Sequence, residues 1–419
     1  MGTPATLSYT QNLIKKNYTS KVTEEVCTRS YITWGKIKKV PQGGDPQHLP
    51  LITSDGAGVA TDIVSAEASA IGMSSTAFSV NMGSLFGSVQ VLTKTRLAFK
   101  GDNKLVANYV KKEIDMKMNG MGRAYSSYLY GAGGGALLQV ASISTNTFAP
   151  VNPKDILNIW EGMQLVFSTG NGTSSGHTLR AGSPGYLTVQ SVDRGTPTFT
   201  TDAVAGVTGV AANDYVFIRG GFAGNVSQTE LFKGFGVWFP TAAPTDTLWG
   251  LARTGKSELA GFITPSADVA GGPLQRISKG LLHGFTQMNA TPRDVVLHPS
   301  QRYQINVSMQ NQGLREISVS ETTGQAGYRK LVYTADHGDV DIWSDPFANS
   351  QTGYMLDFDS FHIRHFGEKI IDFDMPDDEK GSMWYPLAAN AGHALRLYSF
   401  ANLMVESPYK NGTIPLAAV

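Results

Sequence analysis

The sequence predicts an α+β protein of two or three domains, built around one long helix and an inserted β-rich domain. Three patterns predict this class. Short β-like runs fill the first hundred residues, an apolar period of three or four residues continues for about 28 residues after position 102, and short strands with frequent turn signals follow it. A chain of 419 residues with 41% apolar side chains is also long enough to bury more than one core.

The N-terminal hundred residues predict two extended segments. Residues 1–30 are polar and lack a sustained apolar period, so we expect an arm that orders only against another surface. Residues 31–101 contain β-like runs at 31–34, 76–80 and 89–93, separated by glycine- and proline-containing loops. We expect this second segment to form a protruding two-stranded excursion, which would be marginally stable alone.

A long helix is predicted next, over residues 102–135. Asp102 is a suitable N-cap, and the cluster of glycines at 131–135 should end the helix. Its apolar stripe consists of Val106, Val110, Ile114, Met118, Met121, Tyr125 and Tyr128. At a rise of 1.5 Å per residue, about 28 residues span roughly 42 Å, which predicts a spine across the subunit. We interpret the stripe as core packing, in preference to a cofactor site.

The rest of the chain predicts three further regions. Residues 136–222 predict a small β-barrel or sandwich, because short alternating runs are separated by turn signals about every ten residues. Residues 223–335 mix strands and helices, including a buried strand at 294–297 and a helix that begins at Pro299. Residues 336–419 are rich in strands, and a hairpin is predicted to join 331–333 to 340–343.

Charge and cysteine content limit the classes of function. The 34 basic and 34 acidic side chains give no net charge, so the sequence does not predict a general electrostatic attraction to nucleic acid. A single cysteine, Cys27, excludes an intrachain disulfide framework. Residues 1–40 carry seven basic side chains and residues 335–380 carry twelve acidic ones, which favours pairing within or between subunits.

Three motifs suggest enzyme or metal chemistry, and we interpret each as structural. The stretch Gly250–Ser257 matches the phosphate-binding pattern G-x-x-x-x-G-K-[ST], but no buried strand precedes it and no full helix follows it. His362 and His365 would lie on opposite faces of a strand. The aspartates between 336 and 345 lack the ligand order of a calcium loop. We therefore predict no catalytic, cofactor-binding or metal site, and the protein is not expected to be an enzyme.

The order of these regions resembles the major capsid proteins of tailed bacteriophages, which have the HK-ninety-seven-like fold. In that comparison, 1–30 is an N-terminal arm, 31–101 the E-loop region, 102–135 the spine helix of the peripheral domain, 136–222 an insertion, 223–335 the axial domain and 336–419 the return to the peripheral domain. Specific stretches that resemble the family are Leu85–Leu92, Thr291–Ser300, Gly338–Trp343, Gly353–Asp357, Gly392–Tyr398 and Glu406–Gly412.

The resemblance implies a shell protein that forms hexamers and pentamers around packaged phage DNA, in a virion assembled in the host cytoplasm. Its implied partners are further copies of itself, portal, scaffolding and decoration proteins, and DNA through a non-specific lining; no membrane and no cofactor are implied. The inter-subunit contacts expected in the arm and E-loop are Lys36, Lys38, Lys39, Phe78, Phe86, Arg96, Phe99 and Lys100.

Three alternatives remain open from the sequence. The first is an encapsulin-type nanocompartment shell, although such shells usually lack so large a β insertion. The second is a P-loop nucleotide-binding enzyme that uses Lys256. The third is a carbohydrate-binding or hydrolytic β-protein built around residues 136–222.

Overall fold

The computed structural model describes residues 32–44, 46–54, 58–72, 74–92, 103–173, 176–183, 185–202, 206–222, 231–265, 271–311, 331–335, 338–374, 384–387 and 392–417. The predicted arm, 1–30, lies outside these ranges.

The described chain contains six α-helices and 22 strands. The helices are α1 (Ile32–Lys36), α2 (Ile63–Ala68), α3 (Asn103–Leu129), α4 (Phe235–Trp238), α5 (Pro273–Met288) and α6 (Pro299–Asn311). The strands up to the end of the inserted domain are β1 (Lys38–Pro41), β2 (Gln47–Ser54), β3 (Ser74–Val80), β4 (Gly83–Leu92), β5 (Ala136–Ser144), β6 (Thr147–Pro150), β7 (Gln164–Ser168), β8 (Leu187–Asp193), β9 (Thr198–Thr201) and β10 (Tyr215–Ile218). The later strands are β11 (Thr247–Leu248), β12 (Leu251–Ala252), β13 (Phe262–Ile263), β14 (Asp294–Leu297), β15 (Leu331–Ala335), β16 (Gly338–Ser344), β17 (Thr352–Leu356), β18 (Phe361–His365), β19 (Asp372–Asp374), β20 (Tyr385–Pro386), β21 (Gly392–Val405) and β22 (Gly412–Pro415).

The first sheet is organised by β21, its longest strand. β21 is antiparallel to β4 over ten residue pairs, and it also pairs with β18, β19 and β20. β1 adds to β18 in parallel. Along β4, Val89 is 1% exposed whereas Phe86 is 67% exposed, which is the alternation expected of a strand with one buried face.

The spine helix, α3, packs on the buried face of this sheet. A side chain at Gly87 would meet the Met121 sulfur at 3.1 Å, so the helix and β4 approach each other closely. The described members of the predicted stripe, from Val110 to Tyr128, are at most 5% exposed, which confirms that the stripe is core packing. Helix and sheet are held together by apolar burial at spacings of three and four residues.

Residues 136–218 form a closed six-stranded barrel with the order β10-β5-β6-β9-β8-β7. The barrel is filled by Phe148, Phe167 and Phe199, whose neighbouring ring centroids are 5.4 and 5.1 Å apart. The predicted small β-barrel and the α+β class are therefore confirmed.

The barrel is connected to the rest of the chain by two backbone segments, one at Gly135 and one at Gly221, which lie against each other. Gly135 has a φ of +85°, and a Cβ atom built on it would lie 2.0 Å from the carbonyl oxygen of Gly221. Only glycine satisfies both conditions, because a side chain there would be strained and would collide with backbone.

A second sheet, of order β13-β22-β17-β14-β16-β15, has its own core with α5 and α6. Strand β14 and the helix beginning at Pro299 occur where the sequence predicts them, and so do the two strands on either side of residues 336–337. The predicted boundary after residue 335 is displaced, because β16, β17 and the last strand, β22, all belong to this sheet. Conversely, Phe235, Trp238 and Leu248 lie in the core of the first sheet.

The two sheets and the spine helix meet at the ring of Phe235. Its centroid lies 5.5 Å from each of three aromatic rings: Tyr130, just after α3; Tyr354, in the second sheet; and Phe361, in the first. Tyr130 also donates to Asp345 at 2.9 Å and shares a hydrogen bond of 2.6 Å with Thr33. This cluster sets the relative positions of the three parts.

Residues 31–34 were predicted to form a strand, and this is wrong for the described part, 32–34. Helix α1 replaces the strand because a helical spacing brings Thr33, Trp34 and Ile37 to one side, where each is 1% exposed. Trp34 stacks on Tyr125 of the spine helix at 5.1 Å. Tertiary burial thus overrides the local β preference of the tyrosine, isoleucine and threonine.

Replacement of Gly135 by alanine should lower the free energy of unfolding well beyond the cost of a left-handed backbone alone. Gly162→Ala is the matched control, because Gly162 has a φ of +82° with no atom within 4 Å of the added Cβ. We expect about 1 kcal/mol for the control and at least twice that for Gly135→Ala, measured by urea denaturation. Equal costs would contradict the close approach of the two connections.

Candidate subunit-contact surfaces

The phosphate-loop pattern at 250–257 forms a tight hairpin turn. Trp249 and Gly250 join β11 to β12 with φ values of +50° and +85°, as in a two-residue turn with left-handed central residues. The motif's Ser257 begins a 3-10 helix of three residues, Ser257–Leu259, so no long helix presents backbone N–H groups to a phosphate. The structure therefore does not support a nucleotide site there.

Arg253, within the same pattern, is buried for structural reasons. Its guanidinium donates to both carboxylate oxygens of Asp246, at 2.8 and 2.6 Å, and to the carbonyl oxygen of Val237 at 2.8 Å. The neighbouring arginine lowers the pKa of the Asp246 carboxyl. The arginine thereby ties the β11–β12 hairpin to the end of α4.

The histidine and aspartate clusters that suggested metal chemistry lie within the described residues except for Asp336. Among the described residues, no group of three or more His, Cys, Asp or Glu side chains could hold a metal ion. In β18, His365 is buried and His362 is half-buried, consistent with the opposite faces that the sequence predicts. His362 Nε2 lies 2.9 Å from Glu406 Oε1.

A group of half-buried ionisable side chains lies where the barrel meets the second sheet. Lys154 Nζ donates to the carbonyl oxygen of Ala348 at 2.9 Å. Burial lowers the pKa of Lys154 to about 8 and raises the pKa of its neighbour Asp155 to about 6. Burial, and secondarily the Lys154 charge, lower the pKa of His298 to about 4.

The three expected lysine contacts are engaged within the chain. Lys36 Nζ lies 2.5 Å from Asp294 Oδ1 and 3.6 Å from the centre of the Trp343 ring. Lys39 Nζ donates to the carbonyl oxygen of Trp34 at 2.6 Å. Lys38 is more exposed and makes a longer pair with Asp359 at 3.4 Å. The predicted charge pairing between the N-terminal and acidic regions therefore occurs inside one subunit at Lys38.

The aromatic residues that were predicted as contacts in residues 31–101 differ in their exposure. Phe78 is 0% exposed and packs edge-on against Trp238 at 5.5 Å, so its prediction as an inter-subunit contact is wrong: it fills this chain's own core. Phe86 is 67% exposed and remains a candidate. Arg96, Phe99 and Lys100 lie outside the described residues.

Strands β2 and β3 form a separate hairpin whose far end is apolar and uncovered. At its base, Phe78 and Val80 are buried in the first core. Its far end, residues 52–71, is here called the hairpin end, and α2 within it contains no buried residue. Its exposed aliphatic side chains are Ile52 (59%), Val59 (100%), Ile63 (70%), Val64 (72%) and Ile71 (69%). Sequence reasoning missed these residues, although one signal was present: no lysine or arginine occurs between Lys39 and Lys94.

The outer face of the first sheet carries a cluster of four aromatic side chains, here called the aromatic patch, in which Phe86 is exposed and the other three are half-buried. It consists of Phe86, Phe366, Tyr398 and Phe400. The centroid of Phe400 lies 5.7 Å from that of Phe86, 6.1 Å from that of Phe366 and 5.5 Å from that of Tyr398. Phe86 could be predicted as a contact residue, but its three neighbours could not, because they come from distant strands and loops.

In the described part of the chain, no helix is both long enough and apolar enough to span a bilayer.

Arg253→Ala should lower the free energy of unfolding by about 2–3 kcal/mol, because two backbone carbonyls and a carboxylate lose a buried donor. Lys256→Ala should change it by less than about 0.5 kcal/mol, since Lys256 is exposed. Thermal and urea unfolding would measure both. A nucleotide-dependent rise in melting temperature that Lys256→Ala abolishes would contradict this interpretation of the motif.

The His298 site should make the junction between barrel and second sheet sensitive to acid. A folded-state pKa of about 4, below the ordinary 6.5, gives stability that is present above pH 6.5 and lost as the pH falls through 4. Asp155 acts in the opposite sense, since its raised pKa favours the folded state as the pH falls through 6. The difference in unfolding free energy between His298→Gln and the wild type should therefore change by about 1–2 kcal/mol in favour of the variant as the pH is lowered from 7 to 4. A difference that stays constant with pH would refute the assignment.

Among known proteins, this chain is similar to several solved structures of shell proteins. No family model matches the chain, and no curated protein matches it. A capsid structure of cyanophage A-1(L) is 12% identical, with a TM-score of 0.46 and coverage of 95% of both chains. The SrpI encapsulin complex of Synechococcus elongatus PCC 7942 is 7% identical, with a TM-score of 0.44 and coverage of 96% of this chain and 94% of that chain. The satellite phage P4 procapsid that includes the size determination protein is 9% identical, with a TM-score of 0.39 and coverage of 99% and 98%.

Proposed function

We propose that this chain is the major capsid protein of a tailed bacteriophage, and that it assembles into hexamers and pentamers which close into an icosahedral shell around DNA. The observation that carries the proposal is the hairpin end, where a two-stranded extension presents five aliphatic side chains that nothing in the described chain covers. The function is then binding between copies, without a reaction.

The energetics of the hairpin end favour association. An aliphatic side chain of this size gains about 1.5–3 kcal/mol when it is buried. Scattered exposed apolar residues are normal, but a concentrated group on one projecting element marks an interaction site. The hairpin base is fixed by Phe78 and Val80, so the end is held in place before a partner arrives and costs less entropy on binding.

The absence of long-range repulsion supports the same conclusion. With equal numbers of acidic and basic side chains, copies do not repel one another through net charge. Each contact can therefore be modest, because a closed shell combines many contacts per subunit. The same subunit would meet portal, scaffolding and decoration proteins at the shell, and DNA through non-specific contacts with its lining.

The test is whether the full chain assembles, and whether assembly needs the hairpin end. We expect electron microscopy of the purified protein to show rings or closed shells. The double variant Ile63→Glu/Val64→Glu should remain monomeric in analytical ultracentrifugation, because burying the new carboxylates in a contact is costly. Its melting temperature should be unchanged, since α2 has no buried residue.

The matched control is Ile63→Leu/Val64→Leu, which keeps both positions apolar and should still assemble. A compact, monodisperse wild-type monomer at all concentrations would overturn the proposed function. Assembly of the glutamate variant equal to that of the wild type would remove the hairpin end as its basis.

A further inference from the structure

The chain contains three Asn–Gly pairs, and the fold places them in different surroundings. In such a pair the backbone nitrogen of the glycine can attack the side-chain amide of the asparagine, because glycine has no Cβ atom to block the approach. The pairs begin at Asn119 in α3, at Asn171 in the loop after β7 of the barrel, and at Asn411 immediately before β22.

Two of the pairs are held in arrangements that oppose this attack. Asn119 lies inside α3, where the helical hydrogen bonds occupy the backbone N–H of Gly120. Asn411 is 0% exposed, its side-chain nitrogen donates to the carbonyl oxygen of Ser407 at 2.9 Å, and its Oδ1 accepts from the N–H of Asp357 at 2.7 Å. At both positions the reacting groups are therefore fixed in other contacts.

At Asn171 the contacts are those that the attack requires. The backbone N–H of Gly172 donates to Nδ1 of His177 at 3.2 Å, so a ring nitrogen with a lone pair faces the proton that must leave. The side-chain Oδ1 of Asn171 accepts from the backbone N–H of Thr173 at 3.2 Å and from its hydroxyl at 2.7 Å. These two donors would stabilise the negative charge that develops on this oxygen during the attack.

The position of His177 is set by the barrel. The residue after it, Thr178, is tied to β7, because the buried Ser168 hydroxyl donates to the Thr178 carbonyl oxygen at 2.7 Å. The imidazole ring lies directly against Gly170, where an added Cβ atom would be 2.1 Å from a ring carbon. Glycine at this position therefore lets the ring approach Gly172.

We propose that Asn171 is a site of self-catalysed modification, in which the Gly172 nitrogen attacks the side-chain amide carbon of Asn171. The new C–N bond closes a cyclic imide. His177 takes the proton from the attacking nitrogen and passes it to the departing amino group, which leaves as ammonia. Water then opens the ring and gives either aspartate or isoaspartate, in which the peptide link runs through the former side chain. In total, asparagine and water give an acidic residue and ammonia.

The reaction would alter the point at which the barrel is attached. A Cβ atom built on Gly134 would lie 2.0 Å from the carbonyl oxygen of Asn171, and one built on Gly172 would lie 2.4 Å from the carbonyl oxygen of Gly134. The loop and the segment that enters the barrel are thus in close backbone contact. Isoaspartate adds one carbon atom to the backbone of this loop, and either product adds a negative charge. The modification therefore changes the attachment of the barrel without cleaving the chain.

Peptide mapping of the full chain by mass spectrometry tests the proposal. The protein is incubated at mildly alkaline pH, either folded or denatured in urea, and loss of ammonia is followed at each Asn–Gly pair. Folding should raise the rate at Asn171 at least about tenfold, because the base and the two donors are in place only in the folded barrel. Folding should lower the rates at Asn119 and Asn411. A rate at Asn171 that is equal or lower in the folded protein would overturn the proposal.

Two variants separate the roles of the neighbouring side chains. In His177→Gln the new side chain can accept the hydrogen bond of Gly172 but does not take up the proton, so the rate in the folded protein should fall to about that in urea. Thr173→Val removes the hydroxyl and keeps the backbone N–H, and should slow the reaction about tenfold. Thr173 is exposed, so this variant decides the question even if His177→Gln does not fold. Unchanged rates in the folded variants would refute the assignment.

Discussion

The structure depends on the packing of aromatic rings around Phe235. This side chain lies in a helix of one turn, yet it contacts the end of the spine helix, the first sheet and the second sheet. Aromatic side chains bury large areas and prefer edge-on or offset contacts, so such a cluster fixes directions as well as distances. The neighbouring hydrogen bonds of Tyr130 with Thr33 and Asp345 join the first described helix to the same point.

Parts of the fold with a clear local period could be predicted from the sequence. The spine helix is predicted by an apolar residue at every third or fourth position. The barrel is predicted by short alternating strands between turns. The strand at 294–297 and the helix after it were likewise predicted, because an apolar run and a proline mark them. The phosphate-loop pattern is followed in the structure by a 3-10 helix of three residues, as its sequence context indicates, and not by the long helix that the motif needs.

The failures have physical causes that act over long distances along the chain. Residues 32–34 have β preference, but burial of Trp34 against Tyr125 favours a helix. Phe78 was predicted as an exposed aromatic residue, but it is covered by Trp238, which lies 160 residues later in the sequence. The sequence limits of the second sheet could not be predicted, because β22, at residues 412–415, pairs with β13 and β17 across long stretches of sequence. Of the four residues of the aromatic patch, only Phe86 could be predicted from the sequence. The others could not, because Phe86 and Tyr398 are brought together only by the register of β4 and β21.

The paired connections at Gly135 and Gly221 have a consequence for how this protein can vary. Because the segment that enters the barrel at Gly135 lies beside the segment that leaves it at Gly221, the barrel is connected to the subunit at a single point. Domains whose termini are adjacent can be inserted into or removed from a host fold with little effect on it. Replacement of the barrel by a foreign folded module with adjacent ends would leave the backbone path of the rest of the subunit unchanged, although the apolar contacts between the barrel and the spine helix would have to be replaced as well.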